Sequence, residues 1–210
     1  MRDSSGTHNQ PQYSGTGAPS DAADLSEVAT FATLVGNSKS GTTAQLTSLT
    51  GADLWAGLIF SNTDDNSFSV SDGSAWSTFD TKWQTYTPVI TGVTVGNGTL
   101  VAKYMRAGKR VVVEVDFQLG STSAVSAAIV INFPLTGVTP VGAPAIGVGN
   151  SNISASASPL LALQTSSTQL TLFVQDSASP YLTIVNVSGT VPGTWVSGSS
   201  FSARATYEVS

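Results

Sequence analysis

The sequence predicts an all-β protein whose larger part is an antiparallel β-sandwich, and three observations support this. Ser, Thr, Gly, Val and Ala abound among the 210 residues, and β-branched residues with turn formers favour pleated sheets. Only 10% of the residues are charged, against about 25% in average globular domains. Short stretches with a hydrophobic period of two alternate with turn sequences along residues 83–210, which indicates a jelly-roll-like sandwich rather than an immunoglobulin-like one.

The first 24 residues are predicted to form an extended N-terminal arm. They consist largely of Gly, Pro, Ser, Asn and Gln, so they cannot bury enough apolar surface to offset the entropy of ordering the chain. A helix follows, because Ser20 or Asp21 can cap it and apolar residues recur at helical spacing. These apolar positions are Leu25, Val28, Ala29, Phe31 and Ala32.

Residues 25–82 are predicted to form a small α+β attachment module. A second short helix is expected over residues 43–49, with Leu46 and Leu49 on one side. A hairpin is expected beyond Trp55, because two alternating stretches flank the polar turn at residues 61–66. A lone hairpin is marginally stable in water, so it must pack on the helices or on another subunit.

Residues 83–210 are predicted to be the β-sandwich domain. A hairpin over residues 99–119 is the strongest signal, since Val111, Val113 and Val115 alternate with polar residues as in a half-buried strand. The turn of this hairpin is expected at residues 106–108. Further strands are predicted over residues 127–133, 145–148, 160–164, 169–175, 181–187 and 200–209.

Charge is distributed unevenly along the chain. Residues 1–82 carry three Lys or Arg against nine Asp or Glu, and residues 83–210 carry five against four. The acidity of the first part argues against nucleic acid as a partner. No apolar run approaches the roughly 20 residues of a membrane-spanning helix, and the N-terminus lacks a secretory pattern. We therefore expect no membrane insertion and synthesis in a cytoplasm.

The residues that carry catalysis in common enzymes are scarce. His8 is the one histidine and lies in the predicted arm, so no partner can hold it rigidly. The chain has no cysteine, which excludes disulfides and thiolate metal sites. Glu114 and Asp116 lie about 7 Å apart on one strand, a spacing compatible with a glycosidase, but alternation alone puts charges on that face. We expect no enzyme, no catalytic residue and no cofactor.

Two clusters of polar residues allow a binding role as well as a structural one. The oxygens of Asn62, Asp64, Asp65 and Asn66, with Asp72 beyond, could hold calcium, but Asp and Asn also favour tight turns, and the turn is the preferred interpretation. Basic residues cluster at the end of the 99–119 hairpin, where they are a candidate binding surface for anionic partners or a solvated strand edge. These residues are Lys103, Arg106, Lys109 and Arg110.

The four tryptophans have two interpretations. An exposed tryptophan could form a platform on which a sugar ring stacks, since indole supplies flat apolar area with a polar edge. Core or junction packing is the expected role of most of them. They are Trp55, Trp76, Trp83 and Trp195.

Three groups of short segments occur in a specific order. The first is GTTAQLTSLTGADLWAGLIF at residues 41–60, followed by residues 63–64 and DGSAW at 72–76. The second is WQTYTP at 83–88, GNGTL at 96–100, Tyr104 and residues 108–109. The third is WVSG at 195–198 and ATYE at 205–208. In this order they resemble small fibre-like virion proteins and minor tail proteins of bacteriophages that infect actinobacteria.

The resemblance implies a structural protein of a phage particle, assembled in the host cytoplasm. Residues 1–82 would bind other virion proteins on a capsid, collar or tail, and the β domain would face outward, for host adhesion. The resemblance also implies that the chain forms a homotrimer or another repeated projection on the particle. The chain lacks a collagen-like Gly-X-Y tract, so a compact knob or capsid decoration fits better than a long fibre. The alternative is a carbohydrate-binding module that recognises a host cell-wall glycan.

Overall fold

The computed structural model describes residues 4–5, 11–12, 25–26, 28–30, 32, 36–153, 156–176 and 183–209. Strands make up most of this part of the chain, so the predicted all-β class is confirmed. The chain forms two compact units, residues 1–77 and 78–210. The boundary that the sequence predicts lies between residues 82 and 83. His8 and most of the predicted arm lie outside the described residues.

The N-terminal unit combines short strands with little helix. Strand β3 runs parallel to β4, and β4 pairs with β5 in the predicted antiparallel hairpin. Leu25, Val28 and Ala29 are helical as predicted, and the proposed caps Ser20 and Asp21 lie outside the described residues. No described helix is long and apolar enough to cross a membrane. The elements are β1 (Ser4–Ser5), β2 (Pro11–Gln12), β3 (Ser38–Gly41), α1 (Thr43–Ser48), a 3-10 turn (Gly51–Asp53), β4 (Ala56–Asn62) and β5 (Ser67–Asp72), followed by β6 (Trp76–Asp80).

Helix α1 confirms the second predicted helix, and its N-terminus is capped from two sides. Thr42 and Gln45 form a capping box, in which each side chain accepts a hydrogen bond from the backbone of the other residue. Asp64 Oδ2 accepts a further bond from the backbone N–H of Thr43 at 2.8 Å. Leu46 is the one buried residue of the helix. A six-residue helix has little stability of its own, so these caps fix its position beside β4.

The C-terminal unit contains every strand predicted beyond residue 98. The strands predicted within residues 99–119, 127–133, 145–148, 160–164, 169–175 and 200–209 are confirmed, mostly with longer strands. The turn of the 99–119 hairpin was predicted at residues 106–108 but lies at residues 108–109, because Arg106 and Ala107 still pair in the first strand. Of the predicted strand over residues 181–187, the described part begins at Thr183. The elements are β7 (Gln84–Thr85), β8 (Ile90–Thr94), β9 (Thr99–Ala107), β10 (Arg110–Gln118), β11 (Ala124–Asn132), β12 (Ala145–Ile153), β13 (Ser156–Ser166), β14 (Gln169–Asp176), β15 (Thr183–Asn186) and β16 (Ser200–Glu208).

These strands form one antiparallel sheet with a continuous order of hydrogen-bonded neighbours. The order is β9, β10, β16, β12, β13, β14, β11 and β8, while β7 pairs with β9 and β15 pairs with β14. Side chains from one face of all eight strands in this order meet in a single hydrophobic core. The jelly-roll arrangement itself stays a prediction.

The core alternates strictly along its central strands. On β10, Val111, Val113, Val115 and Phe117 are buried, and the residues between them point outward. On β16, Phe201 packs 5.5 Å from the ring of Phe117. Trp195 meets Phe201 edge to face and donates its indole N–H to the carbonyl of Ser188 at 2.8 Å, so this tryptophan is a packing residue. The two sides of this sheet therefore have different roles, packing on one and solvent contact on the other.

Candidate functional site

The structure divides the predicted basic cluster between the two faces of the β9–β10 hairpin. Residues directly opposite each other in an antiparallel pair share a face. Arg106 lies opposite the buried Val111 and therefore belongs to the inner face. Lys103 lies opposite Glu114 on the outer face, and Arg110 follows the same outer alternation. The four basic residues do not form one continuous surface.

Arg106 holds the hairpin turn together. Its Nε donates to the carbonyl of Gly108 at 2.7 Å, and its backbone N–H donates to Asp80 Oδ2 at 2.5 Å. The side chain is partly buried. A guanidinium that already satisfies a turn carbonyl has less freedom to bind a partner, so Arg106 contributes to local structure.

Lys109 and Arg110 remain exposed at the turn. They line a depression of about 530 Å³ together with Gln164, Tyr207 and Glu208. Glu208 lies directly opposite Arg110 on the neighbouring strand β16. The depression thus combines two cations with one carboxylate, which leaves a weak positive excess.

Lys103 belongs to a row of charges on the outer face. Its Nζ lies 2.9 Å from Glu114 Oε2, and Arg204 Nε lies 3.4 Å from Glu114 Oε1. Lys103 Nζ also lies 4.8 Å from the ring centroid of Trp83, within cation–π range. Glu114 therefore pairs with two cations, one on each neighbouring strand, and is not a free acid beside Asp116 on its own strand.

Three rows of outer-face side chains cross four neighbouring strands and form a surface that the sequence patterns do not reveal. The register of β9, β10, β16 and β12 aligns residues from each strand directly across the sheet. Their side chains alternate with buried residues on the same strands, so they face outward. The rows are Lys103–Glu114–Arg204–Val148, Val101–Asp116–Ser202–Asn150 and Thr99–Gln118–Ser200–Asn152. We call these twelve residues the outer polar face.

A cleft of about 210 Å³ lies on two of these rows and includes Asp116, Gln118, Asn150 and Asn152 in its lining. All four side chains are exposed. Among the described residues, none of the four makes a side-chain hydrogen bond with another residue. The outer polar face therefore offers a group of amides and one carboxylate whose hydrogen-bonding capacity is open to a ligand.

Part of the signal for this surface is present in the sequence of two separate strands. The alternation of β10 and β16 already assigned Glu114, Asp116, Ser202 and Arg204 to polar faces. Only the pairing of β16 between β10 and β12 brings these faces together. The order of strands in a sheet depends on contacts between residues far apart in sequence, which periodicity does not report.

The polar turn between β4 and β5 uses its carboxylates for backbone hydrogen bonds. Asp64 Oδ2 caps α1, and Asp65 Oδ1 accepts from the N–H of Ser67 at 2.9 Å. Asn62 Oδ1 accepts from the N–H of Asp64 at 3.0 Å. Asn66 has a φ of 57°, the left-handed region that Asn tolerates better than most residues. These contacts give every oxygen named a structural role and support the turn interpretation over calcium.

Asp72 closes the next turn in the same way. Its Oδ1 accepts hydrogen bonds from the N–H groups of Ala75 and Ser74 and from the Ser74 hydroxyl. These hydrogen bonds lower the pKa of Asp72 below its ordinary value, and the bond from the Ala75 backbone contributes most. Within the described part of the chain, no group of three or more His, Asp or Glu could hold a metal ion.

Comparisons with protein-family models, with curated proteins and with solved structures give no match for this chain.

Proposed function

We propose that this chain is a structural protein of a bacteriophage particle, a knob, fibre or decoration protein, and that it has no catalytic role. Residues 1–82 attach it to other virion proteins, and the C-terminal β unit faces outward and adheres to the host surface. The resemblance of the three sequence segments to phage virion proteins supports this role. The low content of charged residues agrees with a chain whose surface is partly covered in an assembly.

The burial pattern of β4 and β5 is the observation that carries the attachment role. On β5, Ser67, Ser69 and Ser71 are buried, while Phe68 is 40% exposed. On β4, Ile59 lies opposite Val70 and is 43% exposed. The face that carries these serines also buries Leu58 and Phe60, whereas the opposite face presents the exposed apolar side chains of Ile59 and Phe68. Burying exposed apolar area of this kind against another protein is energetically favourable.

Particle incorporation tests the attachment role. We expect deletion of residues 1–24 to abolish incorporation into purified particles, measured by quantitative mass spectrometry of particles from infected cells. We expect Ile59→Ser to lower the copy number several-fold, because it removes apolar area from the contact. Ile184→Ser is the matched control, since Ile184 is 41% exposed on β15 of the other unit. Normal copy number in both the deletion and the Ile59 variant would contradict the proposal.

A homotrimer is part of this proposal. Repeated projections close most simply around a symmetry axis, and closed assemblies leave no unpaired interface. Native mass spectrometry of the full chain should therefore give three times the mass of one chain, 21.5 kDa. A monomer at micromolar concentration would contradict the trimer and leave the attachment role to be judged by the incorporation test.

The second candidate function is a carbohydrate-binding module that recognises the host in its own right. The outer polar face favours it, because exposed amides and hydroxyls arranged on a rigid sheet suit recognition of a polyhydroxylated ligand. The full-length protein should sediment with host cell walls if this function is present. Lys109→Ser with Arg110→Ser tests the remaining basic residues of the hairpin. Loss of wall binding in that variant would assign adhesion to the hairpin turn rather than to the outer polar face.

A further inference from the structure

We infer that the outer polar face binds an uncharged, hydroxyl-rich glycan, with Asp116 and Asn150 as hydrogen-bonding residues. The inference rests on the proposed adhesive function and names its ligand class. Asp116, Ser202 and Asn150 lie in one row across β10, β16 and β12. Neighbouring strands are about 4.8 Å apart, so the three side chains form a line about 10 Å long.

The balance of charge on this face selects an uncharged ligand. Lys103 and Arg204 both pair with Glu114, and the next row contributes the carboxylate of Asp116. The four charges sum to zero over the face. The cleft itself contains Asp116 but neither Lys103 nor Arg204. A phosphate or uronate group entering the cleft would therefore meet a negative charge first, which is unfavourable.

The hydrogen-bonding groups of the cleft match sugar hydroxyls. The Asp116 carboxylate accepts hydrogen bonds only, whereas the amides of Asn150, Asn152 and Gln118 both donate and accept. A sugar hydroxyl also does both, so neighbouring hydroxyls can be satisfied on adjacent strands. Hydrogen bonds to a carboxylate are the stronger ones. Asp116 is thus expected to make the largest single contribution.

Two exposed valines supply the apolar contact that a sugar ring requires. Val101 is 51% exposed in the row of Asp116, and Val148 is 65% exposed in the neighbouring row. The C–H faces of a pyranose ring are apolar, so burying them on valine is favourable. The cleft volume of about 210 Å³ is below the roughly 300–1,000 Å³ of a drug-sized pocket. A short segment of a glycan chain crossing the strands fits this shape.

Affinity electrophoresis of the full-length protein tests the inference. The probes are three uncharged polysaccharides, an α-glucan, a mannan and a galactan, and two anionic ones, a polyglycerol phosphate and a polyuronate. We expect retardation by at least one uncharged probe, unchanged between about 0.05 and 0.5 M NaCl, because screening affects charged pairs. Asp116→Ala should weaken this binding at least about 10-fold, and Asn150→Ala should weaken it several-fold.

Matched variants control for unfolding and for surface charge. Asn186→Ala changes an exposed asparagine on β15, and Asp53→Ala changes an exposed aspartate of the N-terminal unit, so neither should alter binding. Far-ultraviolet circular dichroism should be identical for all four variants, because every substituted side chain is exposed.

The outcomes separate the ligand class from the function. Salt-sensitive binding of an anionic probe, unaffected by Asp116→Ala and Asn150→Ala, would overturn the inference and leave the adhesive function standing. If none of the five probes binds and host cell walls fail to bind as well, the adhesive function is wrong and the inference falls with it. Cell-wall binding without any polysaccharide binding would also overturn the inference.

Discussion

Tyr207 is buried and Tyr86 is partly buried in the C-terminal unit, and their hydroxyl groups differ in hydrogen bonding. Tyr207 Oη donates to the carbonyl of Leu135 at 2.9 Å and accepts from its N–H at 3.3 Å. Tyr86 Oη is buried and has no hydrogen-bond partner among the described residues. Burial raises the pKa of Tyr207 to about 12 and raises that of Tyr86 even further above its ordinary value. The two hydroxyls therefore have opposite effects on stability.

We predict that removing each hydroxyl changes the free energy of unfolding in opposite directions. Tyr207→Phe should lower it by about 1–2 kcal/mol, because two hydrogen bonds are lost. Tyr86→Phe should leave it unchanged or raise it by about 1 kcal/mol, because an unpaired buried polar group is removed. Urea unfolding followed by tryptophan fluorescence measures both. A loss of stability in Tyr86→Phe as large as in Tyr207→Phe would show that Tyr86 makes a hydrogen bond in the folded protein.

Stability should also fall at alkaline pH. Well below about pH 10 both phenols are protonated in the folded and unfolded states, so their contribution is fully present. Between about pH 10 and 12 the unfolded chain releases these protons while folded Tyr207 keeps its own, so the free energy of unfolding decreases. Urea unfolding at pH 8, 10 and 11 measures the decrease. Tyr86→Phe should make the free energy of unfolding fall less steeply with pH than in the original protein. An equal fall in the two proteins would contradict a raised pKa of Tyr86.

At the scale of single elements, β5 shows the limit of a periodic pattern. Alternation along residues 67–70 predicts a strand with two distinct faces, and β5 confirms the strand. The pattern does not tell which face is covered. In the structure the serines are buried and Phe68 is partly exposed. The burial of a strand face depends on what packs against it, and that is decided by residues elsewhere in the chain.

Strand β12 contains two glycines that allow it to pack closely against β16. A Cβ added at Gly147 would lie 2.1 Å from the carbonyl oxygen of Arg204, and one at Gly149 would lie 2.1 Å from that of Ser202. Both contacts are with the backbone of β16, the neighbouring strand. Neither glycine tolerates a methyl group without moving that strand, so these two positions control the pairing that assembles the outer polar face.

We predict that Gly147→Ala and Gly149→Ala each lower the free energy of unfolding by about 1–3 kcal/mol. Each should also weaken binding of the uncharged glycan probes, because β12 carries Asn150 and Asn152. Gly193→Ala is the control, since its added Cβ would meet Ile153 at an ordinary 3.6 Å. Urea unfolding and affinity electrophoresis measure the two effects. Unchanged stability in both β12 variants would mean that the strands are less tightly packed than the structure shows.

At the scale of the whole molecule, the main hydrophobic core of the described residues lies in the C-terminal unit. All members of the main core cluster lie between Tyr86 and Val209. This unit spans residues 78–210. It therefore includes residues 78–82, which the sequence assigns to the N-terminal module and which make hydrogen bonds to the β9–β10 hairpin. The N–H of Gly108 donates to the carbonyl of Thr78 at 2.8 Å, and Asp80 accepts from Arg106.

We predict that a fragment of residues 78–210 folds cooperatively on its own. A fragment of residues 83–210 should be less stable by about 1–3 kcal/mol, because it loses the two acceptors at Thr78 and Asp80. Thermal unfolding of both fragments measures the difference. Equal stability would favour the boundary at 82/83 that the sequence predicts over the structural division at 77/78.

Much of the fold could be predicted from local patterns. The alternation on β10 and β16, the polar turn at residues 62–66 and the position of helix α1 depend on neighbouring residues, so the sequence predicts them well. Strand β8 is not predicted by the sequence pattern. It holds Gly92 within a short run, where an added Cβ would meet the carbonyl of Ala128, and such an interruption resembles a loop in the sequence alone.

The sequence by itself determined the all-β class, the two-sided strands and the scarcity of residues for common catalysis. Only the tertiary structure decided that Arg106 points inward, that Glu114 is shared by Lys103 and Arg204, and that Asp116 lies in line with Ser202 and Asn150. The reason is that hydrophobic period and turn propensity act over a few residues. Strand order and register result from packing one core between residues as far apart as Ala102 and Tyr207.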